Sequence, residues 1–272
     1  MGVIVERAEI VQQYLEVLDV TAGEPSFELL TTLTQRHIAM FAFSSIGVRL
    51  HDDLPLDLQS LFTRIVAGRR GGYCFEQNSL MFEVLQELGF EVDFKLARVI
   101  YGGDHLPGLT HRVTIATLDQ HEYVIDVGFG PMGPPFPVPL REQSIHSDDW
   151  TYRVHEPRPG EFHMQQKTDD GPFSLYRFDL GPYGAGDCEI GHFYSHHHPE
   201  ATFVNNLVAS RILKGEVRSL RNNTYFVTRP GNDDRVKITN STQLFSLLTN
   251  ELGLHITEEE AQQLFVELPA SN

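Results

Sequence analysis

The chain has 272 residues, a mass of 30.8 kDa and a formal net charge of −16 at pH 7. That length can bury a sizeable core, in one large or two to three smaller domains. The acidic balance argues against binding to nucleic acids or anionic membrane surfaces. No apolar run approaches the roughly 20 residues of a membrane span, and residues 1–7 lack the features of a signal peptide. We therefore expect a cytoplasmic protein that does not bind membranes.

The first ninety residues have the apolar spacing of helices. We predict a first helix over residues 4–18 and a second that starts after Pro25, with this proline in its first turn. Asp57 is the expected N-cap of a third. A fourth begins at Cys74, with Gly89 at its C-terminal end.

From about Glu91 the apolar residues recur at every second position instead of with helical spacing, which is typical of strands. A proline-dense stretch at 131–139 predicts a loop. This part of the chain favours an antiparallel sheet or barrel. The runs that predict its strands are 92–96, 111–117, 122–127, 150–155, 160–166 and 173–180.

The last third mixes both types of element. Asn222 and Asn223 predict a turn between two strands, and a further strand is expected at 235–238. A helix over 241–252 follows. Thr257 and Glu260 have the spacing of a capping box at the start of a last helix.

Cys74 is the strongest candidate for a functional residue. It follows two glycines in the run 69–78 and lies in the first turn of the predicted fourth helix. The unpaired N–H groups and the positive dipole end at that position favour a thiolate, which is the nucleophilic form of cysteine. Cys74 could pair with Cys188, the other cysteine of the chain, but a free thiol is the better interpretation in a cytosolic protein.

A nucleophile of this kind needs a base and a group that orients the base. His111 opens one predicted strand and Asp126 closes the next, so a hairpin would bring them together. Simple pairing about Gln120, however, places Asp126 opposite Thr114, on the wrong face for His111. We therefore expect a bulge or a strong twist in this hairpin.

The residues around these three positions resemble the arylamine N-acetyltransferases. The matching motifs are Arg-Gly-Gly-Tyr-Cys-Phe-Glu at 70–76, His-Arg-Val at 111–113 and Asp-Val-Gly-Phe-Gly at 126–130. Their order and spacing match, and the stretch from Phe193 to Phe203 is also similar to the family. The resemblance implies a Cys74–His111–Asp126 triad that carries an acetyl group from acetyl-CoA to an amine through a thioester on Cys74, without a metal. Arylamines and arylhydrazines are the implied acceptors, and the kinetics would be ping-pong.

The resemblance also implies an α+β fold with a papain-like Cys-His-Asp core. We expect a helical bundle with the nucleophile at 1–90, an antiparallel β-barrel-like domain with the histidine and aspartate at 91–200, and an α/β lid at 201–272. The residues that we assign to the substrate site are Phe43, Tyr73, Thr110, Gly128, Phe129 and Gly130. Since the chain is acidic and coenzyme A is polyanionic, its phosphates must be met locally by backbone N–H groups or a few basic side chains.

One departure from the family lies at residues 42–45, which read Ala-Phe-Ser-Ser where the family has Pro-Phe-Glu-Asn. In the family, the glutamate and asparagine help to hold the arginine that corresponds to Arg70. Ser44 cannot neutralise a guanidinium, so Arg70 must find another carboxylate or reach water.

Other interpretations remain open at this stage. The histidines at 192 and 196–198 could suggest a metal site, but a solvated loop is the preferred interpretation. Tyr73 could line the substrate site or simply pack in the core. The same triad would also serve a macrolactam-forming amide synthase, a cysteine peptidase or a transglutaminase-like enzyme. A catalytically silent binding module is the last alternative.

Overall fold

The structure is a computed structural model that describes residues 6–141, 145–147 and 150–269. The first two residues of the predicted first helix, 4 and 5, lie outside this range. The helices are α1 Arg7–Leu18, α2 Phe27–Met40, α3 Ile46–Arg49, α4 Leu58–Leu61 continued by a π-helical turn at Phe62–Ala67, α5 Cys74–Glu87, α6 Ala185–His197, α7 Thr202–Asn205, α8 Ser241–Ser246 continued by a π-helical turn at Leu247–Glu251, and α9 Glu258–Val266.

The N-terminal helices form largely as the apolar spacing predicts. Ser26, rather than a first-turn Pro25, starts α2, because its hydroxyl accepts the N–H of Leu29 and Pro25 lies outside the helix. Asp57 caps α4 as expected, accepting the N–H of Ser60. Gly89 follows the end of α5 with a φ of +83°, a left-handed conformation that glycine adopts at little cost.

The middle of the chain folds into an antiparallel sheet with the strand order β5-β4-β3-β2-β9-β8-β7-β6. Because β5 contacts β7, the sheet is nearly closed and encloses a core that includes Val113, Phe162 and Leu175. The loop predicted at 131–139 contains the short strand β5, and β6 was not predicted. The strands are β2 Glu91–Val99, β3 His111–Leu118, β4 His121–Ile125, β5 Val138–Pro139, β6 Ile145–Ser147, β7 Trp150–Arg158, β8 Glu161–Thr168 and β9 Gly171–Phe178.

The hairpin of β3 and β4 has a different register from the predicted one. Leu118 pairs with His121, so the turn has two residues, Asp119 and Gln120, and is not centred on Gln120. Continuing this register places Asp126 opposite the residue before Thr114, on the face that carries His111. The expected bulge is therefore unnecessary, and none interrupts the pairing.

A second antiparallel sheet has the strand order β1-β10-β11-β12-β13. One of its faces packs on α8 and α9 through Ala209, Leu220 and Tyr225. Its edge strand β1 comes from the N-terminal third, so the sheet combines segments from both ends of the chain. The asparagine turn, the strand near 235 and the last two helices are all confirmed. The strands are β1 Phe43–Ser44, β10 Val208–Leu213, β11 Glu216–Arg221, β12 Thr224–Arg229 and β13 Asn232–Lys237.

Glycine at position 120 should stabilise the fold. Gln120 is exposed and has a φ of +66°, and Asp119 before it has a φ of +48°, as in the hairpin turns that favour Asp-Gly. Gln120→Gly should raise the stability by about 1 kcal/mol, which corresponds to a melting temperature about 2 °C higher. Gln120→Ala is the matched control, because alanine retains the strain. An equal rise in both variants would contradict the assignment of strain to this position.

Candidate active site

Cys74 is the first residue of α5, and only 3% of its surface is exposed. The thiol lies 3.4 Å from the carbonyl oxygen of Thr110, to which it donates a hydrogen bond. The N–H groups of Phe75 and Arg112 lower the pKa of the thiol, as expected near a helix start. Burial and the Asp126 carboxylate outweigh them, however, and hold the pKa of Cys74 well above its usual value. Because burial opposes the charged thiolate, a base close to the thiol would assist its formation.

His111 and Asp126 form the hydrogen-bonded pair that can supply this base. The Nε2 atom of His111 donates to the Oδ2 atom of Asp126 at 2.7 Å, and both side chains are buried. Thr110 and Arg112, whose backbones contact the thiol, are the chain neighbours of His111. Since Nε2 carries the proton shared with Asp126, Nδ1 is the nitrogen left to accept the thiol proton.

Asn78 links the segments that carry Cys74, His111 and Asp126. It lies one turn after Cys74 on α5. Its side-chain nitrogen donates to the Arg112 carbonyl oxygen at 2.6 Å and to Oδ1 of Asp126 at 2.9 Å, and its oxygen accepts the N–H of Val127 at 2.9 Å. This buried amide thus links the nucleophile helix to both strands of the hairpin. Sequence reasoning missed it, although its spacing of four residues from Cys74 on a helix was an available signal.

The Asp126 carboxylate is the most densely hydrogen-bonded group of the site. Besides His111 and Asn78, the N–H of Gly128 donates to its Oδ1 atom at 3.0 Å. These donors and the positive charge that His111 can carry lower the pKa of Asp126, against the effect of its burial. Gly128 must be a glycine, because a Cβ atom there would lie 2.8 Å from the Cα atom of Cys74.

Aromatic rings surround the catalytic histidine on one side. Phe129 meets His111 edge to face at a centroid distance of 5.2 Å, and Tyr176 lies 4.9 Å from His111. Tyr101, more than half exposed, lies 5.7 Å from Phe129. Phe43 pairs with another ring, Phe203, at 5.7 Å. The rings of Phe129, Tyr176 and Tyr101 thus form an aromatic wall on one side of His111.

The histidines of residues 192–198 do not form the solvated loop that the sequence predicted. Most of them lie in α6, and His192 is buried against the residue before the nucleophile. The hydroxyl of Tyr73 lies 2.5 Å from Nδ1 of His192, while Nε2 donates to the Leu54 carbonyl oxygen at 2.8 Å. Burial, with a contribution from His196, lowers the pKa of His192 to about 4. Within the described part of the chain, no group of three or more His, Cys, Asp or Glu side chains could hold a metal ion.

Arg70 finds its carboxylate in the C-terminal helix. Its two terminal nitrogens donate to the two oxygens of Glu260 at 2.7 and 2.8 Å, and Asp52 lies 3.7 Å away. Glu260 also accepts the N–H of Thr257 in the predicted capping box, which is confirmed. The carboxylate that Ser44 cannot provide is thus supplied by α9, almost two hundred residues later in the sequence.

The structure brings the predicted site residues together around Cys74. Thr110 contacts the thiol through its carbonyl oxygen, and Gly130 lies beside Phe43, with a φ of +92°. Tyr73 is fully buried and bound to His192. The substrate-binding assignments of Phe43, Tyr73, Thr110, Gly128, Phe129 and Gly130 stay predictions. Both Cys74 and Cys188 are free and buried.

Comparisons with known proteins identify one family. A family model described as N-acetyltransferase matches residues 26–261. The arylamine N-acetyltransferase of Escherichia coli (strain K12) is 32% identical over 250 residues, covering 87% of this chain and 85% of that protein. The solved arylamine N-acetyltransferase of Salmonella typhimurium superposes with a TM-score of 0.89 at 29% identity, over 94% of this chain and 98% of that one. The Mycobacterium marinum enzyme in complex with CoA has the same fold, with a TM-score of 0.89, 24% identity and coverage of 95% and 99%.

Removing the charge of Glu260 should destabilise the protein. Glu260→Gln keeps a side chain that can close the capping box but loses the ion pair with Arg70, and should cost about 1 kcal/mol at neutral pH. Arg70 lowers the pKa of Glu260, so this contribution is present above the ordinary glutamate pKa and is lost as the pH falls through the lowered value. Thermal unfolding between pH 7 and pH 3 measures both effects.

The matched control for this experiment is Glu259→Gln. Glu259 lies beside Glu260 in the first turn of α9 and is exposed, so its substitution removes the same charge from the same helix end. The control should unfold close to the wild-type temperature. An equal loss in both variants would show that the helix dipole, and not the pair with Arg70, is responsible.

Proposed function

The chain belongs to the arylamine N-acetyltransferase family, and we propose that it transfers the acetyl group of acetyl-CoA to the nitrogen of arylamines, arylhydrazines or similar amines. Two hydrogen bonds carry the proposal. The buried Cys74 thiol donates to the carbonyl oxygen of Thr110, the residue before His111, and His111 is in turn held by Asp126. This arrangement can form and discharge a thioester. Acetyl-CoA is the donor that the family membership implies.

The first half-reaction loads the cysteine. Nδ1 of His111 takes the thiol proton, and the resulting Sγ thiolate attacks the acetyl carbonyl carbon of the donor. The Cys74 N–H at the start of α5 is a candidate donor to the oxyanion that forms. When the tetrahedral intermediate collapses, the bond to the sulfur of coenzyme A breaks, and that sulfur takes the proton back from His111. Asp126 stabilises the imidazolium that exists between these proton transfers.

The second half-reaction transfers the acetyl group to the amine. The amine nitrogen attacks the thioester carbonyl, and His111 accepts the proton that the nitrogen loses. The Cys74 thiolate then leaves and recovers a proton from His111. Because Cys74 and His111 are almost completely buried, water has little access to the thioester, which favours transfer to an amine over hydrolysis.

We assign the acceptor site to the rings of Phe43 and Phe129 and to the backbone around Gly128 and Gly130. Phe129 contacts His111 directly, and Gly128 approaches the backbone of Cys74. An arylamine that stacks among these rings would have its nitrogen close to the thioester. Tyr73, the residue before Cys74, is held in place by its hydrogen bond with His192 and so helps to position this site.

The other functions considered for this triad have less support. The relatives in Escherichia coli and Salmonella typhimurium are arylamine N-acetyltransferases, which does not favour a macrolactam-forming amide synthase or a peptidase. A silent binding module would have no use for a histidine hydrogen-bonded to a buried carboxylate beside a cysteine. The described residues include no helix long and apolar enough to cross a membrane. We further propose a cytoplasmic location, since two unpaired cysteines suit a reducing compartment.

The covalent intermediate is the most direct test of the function. Acetyl-CoA without an amine should add one acetyl group to the protein, at Cys74, because His111 and Asp126 can activate that thiol. Intact-protein and peptide mass spectrometry would detect it, and an arylamine or hydrazine should remove it. Cys74→Ser should accumulate no adduct, whereas Cys188→Ser, the control, should be acetylated normally. Amine acetylation without any adduct would contradict the covalent mechanism.

Asp126→Asn should fold but lose turnover by about 10⁴-fold. Asn78 and Gly128 both donate to Oδ1, so the new amide would keep its oxygen there and turn its NH₂ group towards His111. That orientation places the histidine proton on Nδ1, the nitrogen needed as the base. Asp119→Asn, the same change at the exposed turn of the same hairpin, is the control. Steady-state acetylation rates measure the effect, and near-normal turnover of folded Asp126→Asn would contradict the assigned role.

A further inference from the structure

The face of the second sheet that points away from α8 and α9 carries a basic residue towards the catalytic site. Phe43 pairs with Ser210, and Val208 pairs with Arg221. Paired residues and alternate residues along a strand share a face, so these four side chains lie on one side of the sheet. We call this the cleft face. It is opposite to the face of Ala209 that packs on the C-terminal helices.

Three contacts along β10 give the orientation of the cleft face. At one end, Ile212 lies beside Pro131 and Trp150. In the middle, Ser210 and Phe43 lie against Gly130, in the loop that follows Asp126. At the other end, Val208 packs against the cluster that contains Phe43 and Cys74. Arg221, the partner of Val208, is thus at the end of the sheet closest to the nucleophile.

Arg221 is exposed at this position and has no acidic partner. Among the residues that the structure describes, no carboxylate lies within 4.0 Å of its guanidinium. Four other arginines, Arg49, Arg64, Arg70 and Arg218, are paired with carboxylates. In an acidic chain of net charge −16, Arg221 is an exposed guanidinium whose charge no carboxylate of the described residues neutralises.

Tyr101 lies on the other side of the site, in the turn that follows β2. Although the side chain is more than half exposed, desolvation of its hydroxyl raises its pKa, whereas the charge of Arg221 lowers it, which agrees with the placement of Arg221 by strand register. Tyr101 also lies beside Phe129, which contacts the catalytic histidine. We call the region between Tyr101, in the turn after β2, and Arg221, at the end of β11, the mouth of the cleft.

We propose that Arg221 binds an oxyanion of a substrate, a phosphate of the donor or a carboxylate on the acceptor, at the mouth of this cleft. The inference rests on the proposed acetyl transfer. A guanidinium offers two parallel N–H donors that match both kinds of oxyanion. It also provides the local positive charge that a polyanionic donor needs on an acidic protein. The triad performs the acetyl transfer, and Arg221 orients the end of the substrate that carries the oxyanion.

The test compares charged and uncharged substrates in Arg221→Gln. The donor pair is acetyl-CoA and S-acetyl-N-acetylcysteamine, a thioester without phosphates. The acceptor pair is 4-aminobenzoate and its methyl ester. We expect the KM for one or both charged substrates to rise about five- to tenfold, because a charge-assisted bidentate contact is lost, while the KM for the uncharged partner and kcat stay near wild type. A rise for acetyl-CoA alone identifies the donor phosphates, and a rise for 4-aminobenzoate alone identifies the acceptor carboxylate.

Two further variants separate this role from general effects of charge. Lys214→Gln removes one positive charge from the exposed turn at the opposite end of the same strands and should leave all four KM values unchanged. Arg221→Lys keeps the positive charge but loses the two parallel N–H donors of the guanidinium. Its KM for the affected charged substrate should therefore lie between those of the wild type and Arg221→Gln. Equal effects of Arg221→Gln on charged and uncharged substrates, or no effect at all, would overturn the proposal. Absence of acetyl transfer in the wild type would instead contradict the proposed function.

Discussion

The hydrogen bonds of the buried Asp126 carboxylate are the interaction on which the site depends. One oxygen fixes the catalytic histidine, and the other receives donors from Asn78 and Gly128. A buried carboxylate is costly unless its lone pairs are satisfied, so these donors explain how the charge can be kept in the core. Since Asn78 belongs to the nucleophile helix, the same bonds also set the position of Cys74 relative to the base.

The low polarity around the thiol has a chemical consequence. Burial opposes the ionisation of Cys74, although the helix start and two N–H groups favour it. Because the thiolate is the reactive form of cysteine, loss of the Cys74 proton has to be assisted in these surroundings. In the proposed mechanism His111 accepts this proton, and Asp126 stabilises the imidazolium. Activation of the nucleophile is in this way coupled to the geometry of the whole triad.

Local patterns were sufficient to predict most elements, and the structure brings Cys74, His111 and Asp126 close together as their motifs indicated. They were not sufficient where the structure depends on a single residue of register or on distant partners. The hairpin turn has two residues with positive φ, and the Asp-Gln pair lacks the glycine that would have indicated it. The histidines after residue 191 were predicted to form a loop. The sequence does not show that His192 is buried against Tyr73, because these two residues are more than one hundred positions apart. The carboxylate that holds Arg70 could not be inferred, since nothing local indicates contact with residue 260.

The residues just before Cys74, from Arg70 to Tyr73, are held by two elements that are remote in sequence. His192 on α6 binds the hydroxyl of Tyr73, directly before Cys74, and Glu260 on α9 binds Arg70, directly before the two glycines. The family places a carboxylate for this arginine shortly after the second helix, whereas this chain has serines at 44 and 45. The replacement from α9 links the C-terminal helix to the residues just before Cys74 by a partly buried, bidentate ion pair. Changes in the C-terminal region can therefore reach the nucleophile in this chain through a contact that does not depend on substrate.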